Sequence, residues 1–122
     1  MTFVQKIGFG GLEHINGAIA QAEVLGVFGR EGLDLACLWD PPESDEPGAY
    51  AFRMFRNYDG NGSCFGSLGV SASSTILDDI SVFASTNDVD TLLTIIVVNK
   101  SFSDQDSSLQ IVGVSHVVSC EG

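Results

Sequence analysis

Asp34, Asp40, Glu43, Asp45 and Glu46 crowd one short stretch of this sequence. Paired carboxylates of this kind are what hydrolysis of a glycosidic bond requires: one acid protonates the leaving oxygen, and the other serves as nucleophile or base. Only two opposed carboxyl groups at a fixed separation can do this. The 41–48 stretch, Pro-Pro-Glu-Ser-Asp-Glu-Pro-Gly, offers no such rigidity, so these acids read first as the solvated face of a loop. Trp39, the single tryptophan, stands immediately before them. It ends a run with the character of a parallel strand, and the carboxy-terminal ends of such strands are where α/β barrels assemble their sites. An indole face there can stack on a sugar ring; the plainer alternative is a tryptophan packed into a core or a mouth that no ligand visits.

Other chemistry is weakly supported. His14 and His116 are the two histidines, far apart and without a neighbouring ligand pattern, and both read as structural or surface groups. No GxSxG elbow is present, and no serine or cysteine has a histidine at a telling spacing. Asp59-Gly60-Asn61-Gly62 starts like a calcium loop but lacks the downstream Glu, so it is expected to be a turn. Cys37, Cys64 and Cys120 have no metal-like spacing; one disulfide with one thiol left over is compatible with three cysteines. Nothing calls for a cofactor.

These groups must be positioned by a chain of 122 residues that is 44% hydrophobic and 17% charged, values of a globular domain with a core. Five basic against sixteen acidic residues give a net charge of −11. That balance excludes the phosphate-neutralising stripe of a nucleic-acid binder and disfavours anionic membrane surfaces. No stretch approaches the ~20 apolar residues of a membrane span, and the first ten residues have no apolar core of signal-peptide length.

Residues 11–29 place Leu12, Ile15, Ile19, Ala22 and Leu25 at spacings of three and four, which predicts a helix with that face buried. Gly17 and Gly26 weaken it intrinsically and point to close approach of a neighbouring element. The run 33–39, stopped by Asp40-Pro41-Pro42, reads as a buried strand. A second helix is predicted over 49–58, with Ala51, Phe52, Phe55 and Tyr58 sharing a face and Arg53 and Arg56 pointing away. Beyond Gly62, Ser, Thr and β-branched residues dominate, the signature of an antiparallel sheet or sandwich. Strands are predicted at 67–73 (Leu68, Val70 and Ala72 on the dry face), 80–86, 91–99 and 108–118. The 91–99 run, with little alternation, is expected to be central and covered on both faces; Asn87-Asp88-Val89-Asp90 joins it to its predecessor as a hairpin loop.

The strings Gly10-Gly11-Leu12-Glu13-His14-Ile15-Asn16-Gly17-Ala18 and Ala22-Glu23-Val24-Leu25-Gly26-Val27-Phe28-Gly29-Arg30-Glu31-Gly32 resemble the helix after the seventh barrel strand in glycoside hydrolase family 44. Residues 33–42 resemble the eighth strand and 49–60 the eighth helix. Residues 67–113 resemble that family's carboxy-terminal β-sandwich, including Val98-Asn99-Lys100. The resemblance implies an α+β chain: an α-β-α remnant of a (β/α)8 barrel over 1–62, then an antiparallel β-sandwich portion over 63–122. A whole barrel takes ~250 residues. It also implies descent from secreted, retaining endo-β-1,4-glucanases acting on cellulose-like glucans and xyloglucan, whose glutamate nucleophile ends strand seven in a Glu-Tyr-Asn context. Counting back from Phe9-Gly10-Gly11, that place falls on Lys6, followed by Ile7 and Gly8. An ammonium cannot attack an anomeric carbon as a carboxylate does, and the acid/base strand has no counterpart here, so no catalytic residue is assigned. Trp39 matches the aromatic near the sugar subsite and is carried over as substrate-binding. Residues 1–7 and 116–122 do not resemble the family, as expected of a truncated reading frame.

Two other readings stay open. One is a small β-glucan-binding module using Trp39, Tyr50 and Tyr58 as a planar platform; the other is a hydrolase using Asp34 or Asp40 with a neighbouring Glu. The apolar faces of an incomplete barrel would drive association into homo-oligomers.

Overall fold

The computed structural model describes residues 1–8, 10–89 and 91–114. It is a small α+β fold with the order β1 (Phe3–Ile7), α1 (Ile15–Arg30), β2 (Leu35–Leu38), α2 (Pro47–Arg56), β3 (Leu68–Val70), β4 (Ile80–Thr86) and β5 (Leu93–Asn99). β1 and β2 form a parallel pair with α1 as its crossover, and β3, β4 and β5 form an antiparallel sheet in that order. The strand expected at 108–118 is irregular over 108–114, and its remainder lies outside the described residues, as do His116 and Cys120.

Residue pattern alone predicted no strand over 3–7, although the resemblance puts the end of the seventh barrel strand at Lys6, within β1. Its partner register is Phe3↔Leu35, Val4↔Ala36 and Ile7↔Leu38, with an irregularity between Val4 and Ile7. The ladder continues at both ends, where Asp34 N–H donates to Thr2 O (3.0 Å) and Trp39 N–H to Ile7 O (2.9 Å). β2 is shorter than expected and is not buried. Leu35 is 52% exposed, and Ala36 and Leu38 are only half-buried. An apolar run predicts a strand covered on both faces only when neighbours exist to cover it, and among the described residues β2 has one strand beside it.

α1 also corrects the sequence reading. It starts at Ile15, after Gly10 and Gly11 turn the chain with φ of 66° and 72°. Ile15 itself is 65% exposed. The buried stripe is Gly17, Ala18, Gln21, Ala22 and Gly26, with Ile19 and Leu25 packed at its margin. Small residues win that face because the neighbours come close: a Cβ on Gly26 would lie 2.4 Å from the Phe83 ring, and one on Gly17 2.0 Å from Gly11 O. α2 buries Gly48, Ala51 and Phe55, half-buries Phe52 and leaves Arg53 and Arg56 exposed, as its periodicity predicts. Tyr58 departs from that face because the helix ends at Arg56, and it is exposed.

In the antiparallel sheet β4 is central and β5 is an edge, the reverse of the expected arrangement for 91–99. Alternation is present: Ile96 and Val98 are buried, whereas Val97 between them is 54% exposed. Its apolar content marks an outward face that no second sheet covers among the described residues. Leu68 and Val70 of β3 lie on that outward side and are exposed, not dry, since they pair in register with Thr86 and Ala84. The β4–β5 hairpin is as expected over its described residues, with Asn87 Oδ1 accepting from the N–H groups of Thr91 and Leu92. The core joins Ala22, Ala51 and Phe55 of the helices to Phe83, Ile96 and Val98 of the sheet, and so draws on residues from both sides of position 62. Phe65 closes it edge-on to Phe55, centroids 5.3 Å apart.

One polar tie fastens α1 to the sheet. Glu23 Oε1 accepts from Ser81 Oγ (2.7 Å) and Lys100 Nζ (2.9 Å), and Lys100 also donates to Leu77 O. Burial raises the Glu23 pKa, but the hydrogen bonds from Ser81 and Lys100, with the positive charges of Lys100 and Arg30, outweigh it and hold the carboxyl below its ordinary value. A depressed folded-state pKa contributes stability that is present above the unfolded value, near 4.5, and lost as pH falls through the folded one. Urea denaturation at pH 7 and at pH 3 is expected to show a larger loss for the parent than for Glu23→Gln. Equal losses in the two proteins would remove this assignment.

Candidate functional site

The carboxy-terminal ends of β1 and β2 open onto a depression of about 490 Å³. Its walls are two loops: Gly8, Gly10, Gly11, Leu12 and Glu13 between β1 and α1, and Trp39, Asp40, Pro41, Pro42 and Glu46 between β2 and α2. Trp39 follows the last residue of β2, with its backbone held to Ile7 and its side chain 66% exposed. Gly8 lies beside it, where a Cβ would sit at ordinary contact, 3.5 Å from Trp39 Cβ. The indole is thus carried on a fixed backbone at the rim of a concavity. Leu12 O accepts from Gly48 N–H (2.8 Å), which ties the loop between β1 and α1 to the first turn of α2.

The acids singled out from the sequence do not gather into one group. Asp34 precedes β2 and accepts from Thr2 N–H (2.7 Å), at the opposite end of the strand from Trp39. Four strand residues span about 13 Å, so Asp34 and Asp40 cannot face each other at the ~5 Å of a retaining pair. Asp40 and Glu46 line the depression, whereas Glu43 and Asp45 are exposed without lining it. Glu46 is turned back on its own loop, its Oε2 accepting from Glu43 N–H (2.9 Å). Glu13, which sequence reasoning passed over, lines the opposite wall and lies 3.7 Å from His14. The available signal was the glycine-rich 8–11 run between a strand and a helix.

The three candidate platform aromatics, Trp39, Tyr50 and Tyr58, are all exposed. Arg53 sits over the Tyr50 ring at 4.7 Å and covers that face. Tyr58 lies two residues beyond the end of α2, whereas Tyr50 is in its first turn. Asp59-Gly60-Asn61-Gly62 is a turn, as expected. The Asp59 carboxylate accepts from Ser63 Oγ (2.7 Å) and from the N–H groups of Asn61 and Ser63, and the Ser63 hydrogen bond foremost holds its pKa below the usual value. Cys37 and Cys64 are free thiols. Among the described residues no group of three or more His, Cys, Asp or Glu side chains could hold a metal ion.

No family model matches the chain. Individual proteins do. Endoglucanase A of Paenibacillus lautus is 39% identical over 102 residues, which cover 83% of this chain and 15% of that protein. The crystal structure of CelM2, a bifunctional glucanase-xylanase from a metagenome library, superposes with a TM-score of 0.80 at 44% identity, over 85% of this chain and 20% of CelM2. A Paenibacillus polymyxa xyloglucanase from glycoside hydrolase family 44, solved with xyloglucan, superposes with a TM-score of 0.76 at 32% identity, over 84% of this chain and 20% of its own. The chain belongs to glycoside hydrolase family 44. It spans about a fifth of the solved family 44 chains. The small α+β fold, with two helices and an antiparallel sheet, is consistent with part of a family 44 domain. Those relatives are described as an endoglucanase, a glucanase-xylanase and a xyloglucanase.

Proposed function

We propose that this chain is a segment of a secreted β-glucan-degrading hydrolase that contributes Trp39 to the sugar-binding cleft and has no catalytic pair of its own. On this reading, residues 1–62 are the terminal strand-helix segment of a barrel and 63–122 a portion of a β-sandwich. The observation that carries it is the placement of Trp39. An exposed indole stands where two parallel strands end side by side, beside a concavity, in a fold shared with enzymes that act on glucan chains. Sugar rings present an apolar C–H face, and an aromatic ring on a fixed backbone binds it with little ordering cost. Asp40 and Glu46 supply hydrogen-bond acceptors for hydroxyl groups at the same rim.

The test uses a chimera in which this chain replaces its counterpart segment in CelM2. Trp39→Ala is expected to weaken binding to xyloglucan or mixed-linkage glucan about tenfold, the equivalent of ~1.4 kcal/mol, read by affinity electrophoresis. Unchanged retardation would remove Trp39 from the cleft. The isolated chain is expected to release no reducing sugar from soluble β-glucan. The exposed Trp39 also favours a second reading, a β-glucan-binding module. Retardation of the isolated chain equal to that of the chimera would select it.

A further inference from the structure

We infer that Arg53 is a positioning residue for the depression: it holds the loop between β2 and α2, and so sets where Asp40 and Glu46 stand relative to the Trp39 indole. The inference rests on the reading of that depression as a glucan cleft. Residues 43–46, Glu-Ser-Asp-Glu, have no apolar side chain to bury and belong to no helix or strand. Hydrophobic packing therefore cannot order them, and hydrogen bonds must oppose their conformational entropy. Within the loop, Glu43 N–H donates to Glu46 Oε2 (2.9 Å) and Glu46 N–H to Glu43 O (3.1 Å), which closes the turn on itself. The middle of that turn is held from α2, where Arg53 Nη2 donates to Ser44 O (2.5 Å).

Helix geometry makes this reach possible. Side chains on a helix lean toward its amino terminus, so Arg53 extends back along α2 over Tyr50, three residues earlier on the same face. Its guanidinium carbon stands 4.7 Å from the Tyr50 ring centroid. A planar cation resting on a ring has fewer orientations to lose, so its donors arrive at Ser44 O already aimed. In a stretch rich in carboxylates the partner is a backbone carbonyl, so Arg53 fixes main chain. α2 is in turn seated on the loop between β1 and α1. Gly48 N–H donates to Leu12 O (2.8 Å), and a Cβ at Gly48 would lie 2.8 Å from Leu12 Cβ. Both walls of the depression are thus tied to one helix. Pro41, Pro42 and Glu46 line the depression, whereas Ser44 and Arg53 do not, so Arg53 acts through the loop.

Hydrogen exchange on this chain tests the clamp. Pro41, Pro42 and Pro47 carry no N–H, so the loop is read at the amides of residues 43–46. Arg53→Ala is expected to speed exchange at Glu43 and Glu46 at least about fivefold, with the β4 amides unchanged. Tyr50→Phe, which keeps the ring, should exchange like the parent; Tyr50→Ala should speed the same two amides, and should add nothing to Arg53→Ala. In the CelM2 chimera, Arg53→Ala is expected to weaken binding in xyloglucan gels about threefold, a modest loss because the clamp is exposed. Unchanged exchange at Glu43 and Glu46, or equal acceleration there and in β4, would overturn the inference. A full Tyr50→Ala effect in the absence of Arg53 would do so too. If Arg53→Ala leaves retardation unaltered while Trp39→Ala abolishes it, the positioning role fails and the cleft reading stands. If Trp39→Ala also leaves retardation unaltered, the cleft reading has failed and this inference with it.

Discussion

Lys6→Glu in the CelM2 chimera is expected to raise hydrolysis of soluble β-glucan by at least about a thousandfold over the unsubstituted chimera, since losing one member of a catalytic set costs other hydrolases more than that. Retaining hydrolysis proceeds through a covalent bond between a carboxylate and the anomeric carbon, and the second carboxyl group first protonates the leaving oxygen. On the retaining mechanism that the resemblance implies, that second group has to come from the CelM2 frame. The family resemblance puts Lys6 at the nucleophile position, and the fold puts it on the penultimate residue of β1. The next residue, Ile7, pairs with Leu38, directly before Trp39. Rescue should be partial, because Ile7 and Gly8 replace the Tyr-Asn context of the resemblance. Reducing-sugar release from xyloglucan measures it. An unsubstituted chimera turning over at the rate of CelM2 would overturn the argument, as would a Lys6→Glu chimera no faster than its parent.

The largest stability effects should come from Phe83, the sheet residue facing Gly26. Phe83→Ala removes a core ring that is 5% exposed and should cost about 3–5 kcal/mol, the usual price of emptying an aromatic site. That is a large part of the ~5–15 kcal/mol available to a domain of ordinary stability. Gly26→Ala should cost about 1–3 kcal/mol despite the better helix propensity of alanine, because its methyl would meet the ring at 2.4 Å. The double variant should be less destabilised than the sum of the two by about 1–2 kcal/mol, since the shortened Phe83 side chain makes room for the methyl. Urea melts of the four proteins give the coupling energy. Strict additivity would mean that Gly26 and Phe83 do not meet in solution.

Much of the local structure was legible because it rests on local causes. Strand 80–86 coincides with β4, since its bounds are set by residues that cannot continue a strand, Asp79 before it and the Asn87-Asp88 loop after it. The second helix is displaced by two residues, because Pro47 serves at its first turn, where a missing N–H costs nothing. The Asp59–Ser63 turn was readable from Asx and glycine chemistry alone. The buried face of α1 was not. Alanine and glycine add little to a hydrophobic pattern, so Ile15 and Leu12 dominated it, whereas packing against Phe83 and Gly11 O rewards the smallest residues.

The site divides in the same way. Composition argued against a nucleic-acid partner and disfavoured anionic surfaces, the strand before Asp40 marked Trp39 as the end of an element, and residue types named the chemistry that carboxylates and an indole can perform. Tertiary structure alone decided which of those groups meet. It set Asp34 and Asp40 at opposite ends of β2, brought Gly8 and Glu13 to the concavity beside Trp39, laid Arg53 over Tyr50, and made β4 central instead of β5. Side-chain type is written locally, but separation across a strand, closeness of two loops and rank within a sheet depend on contacts between residues far apart in the chain. Periodicity carries no record of those contacts.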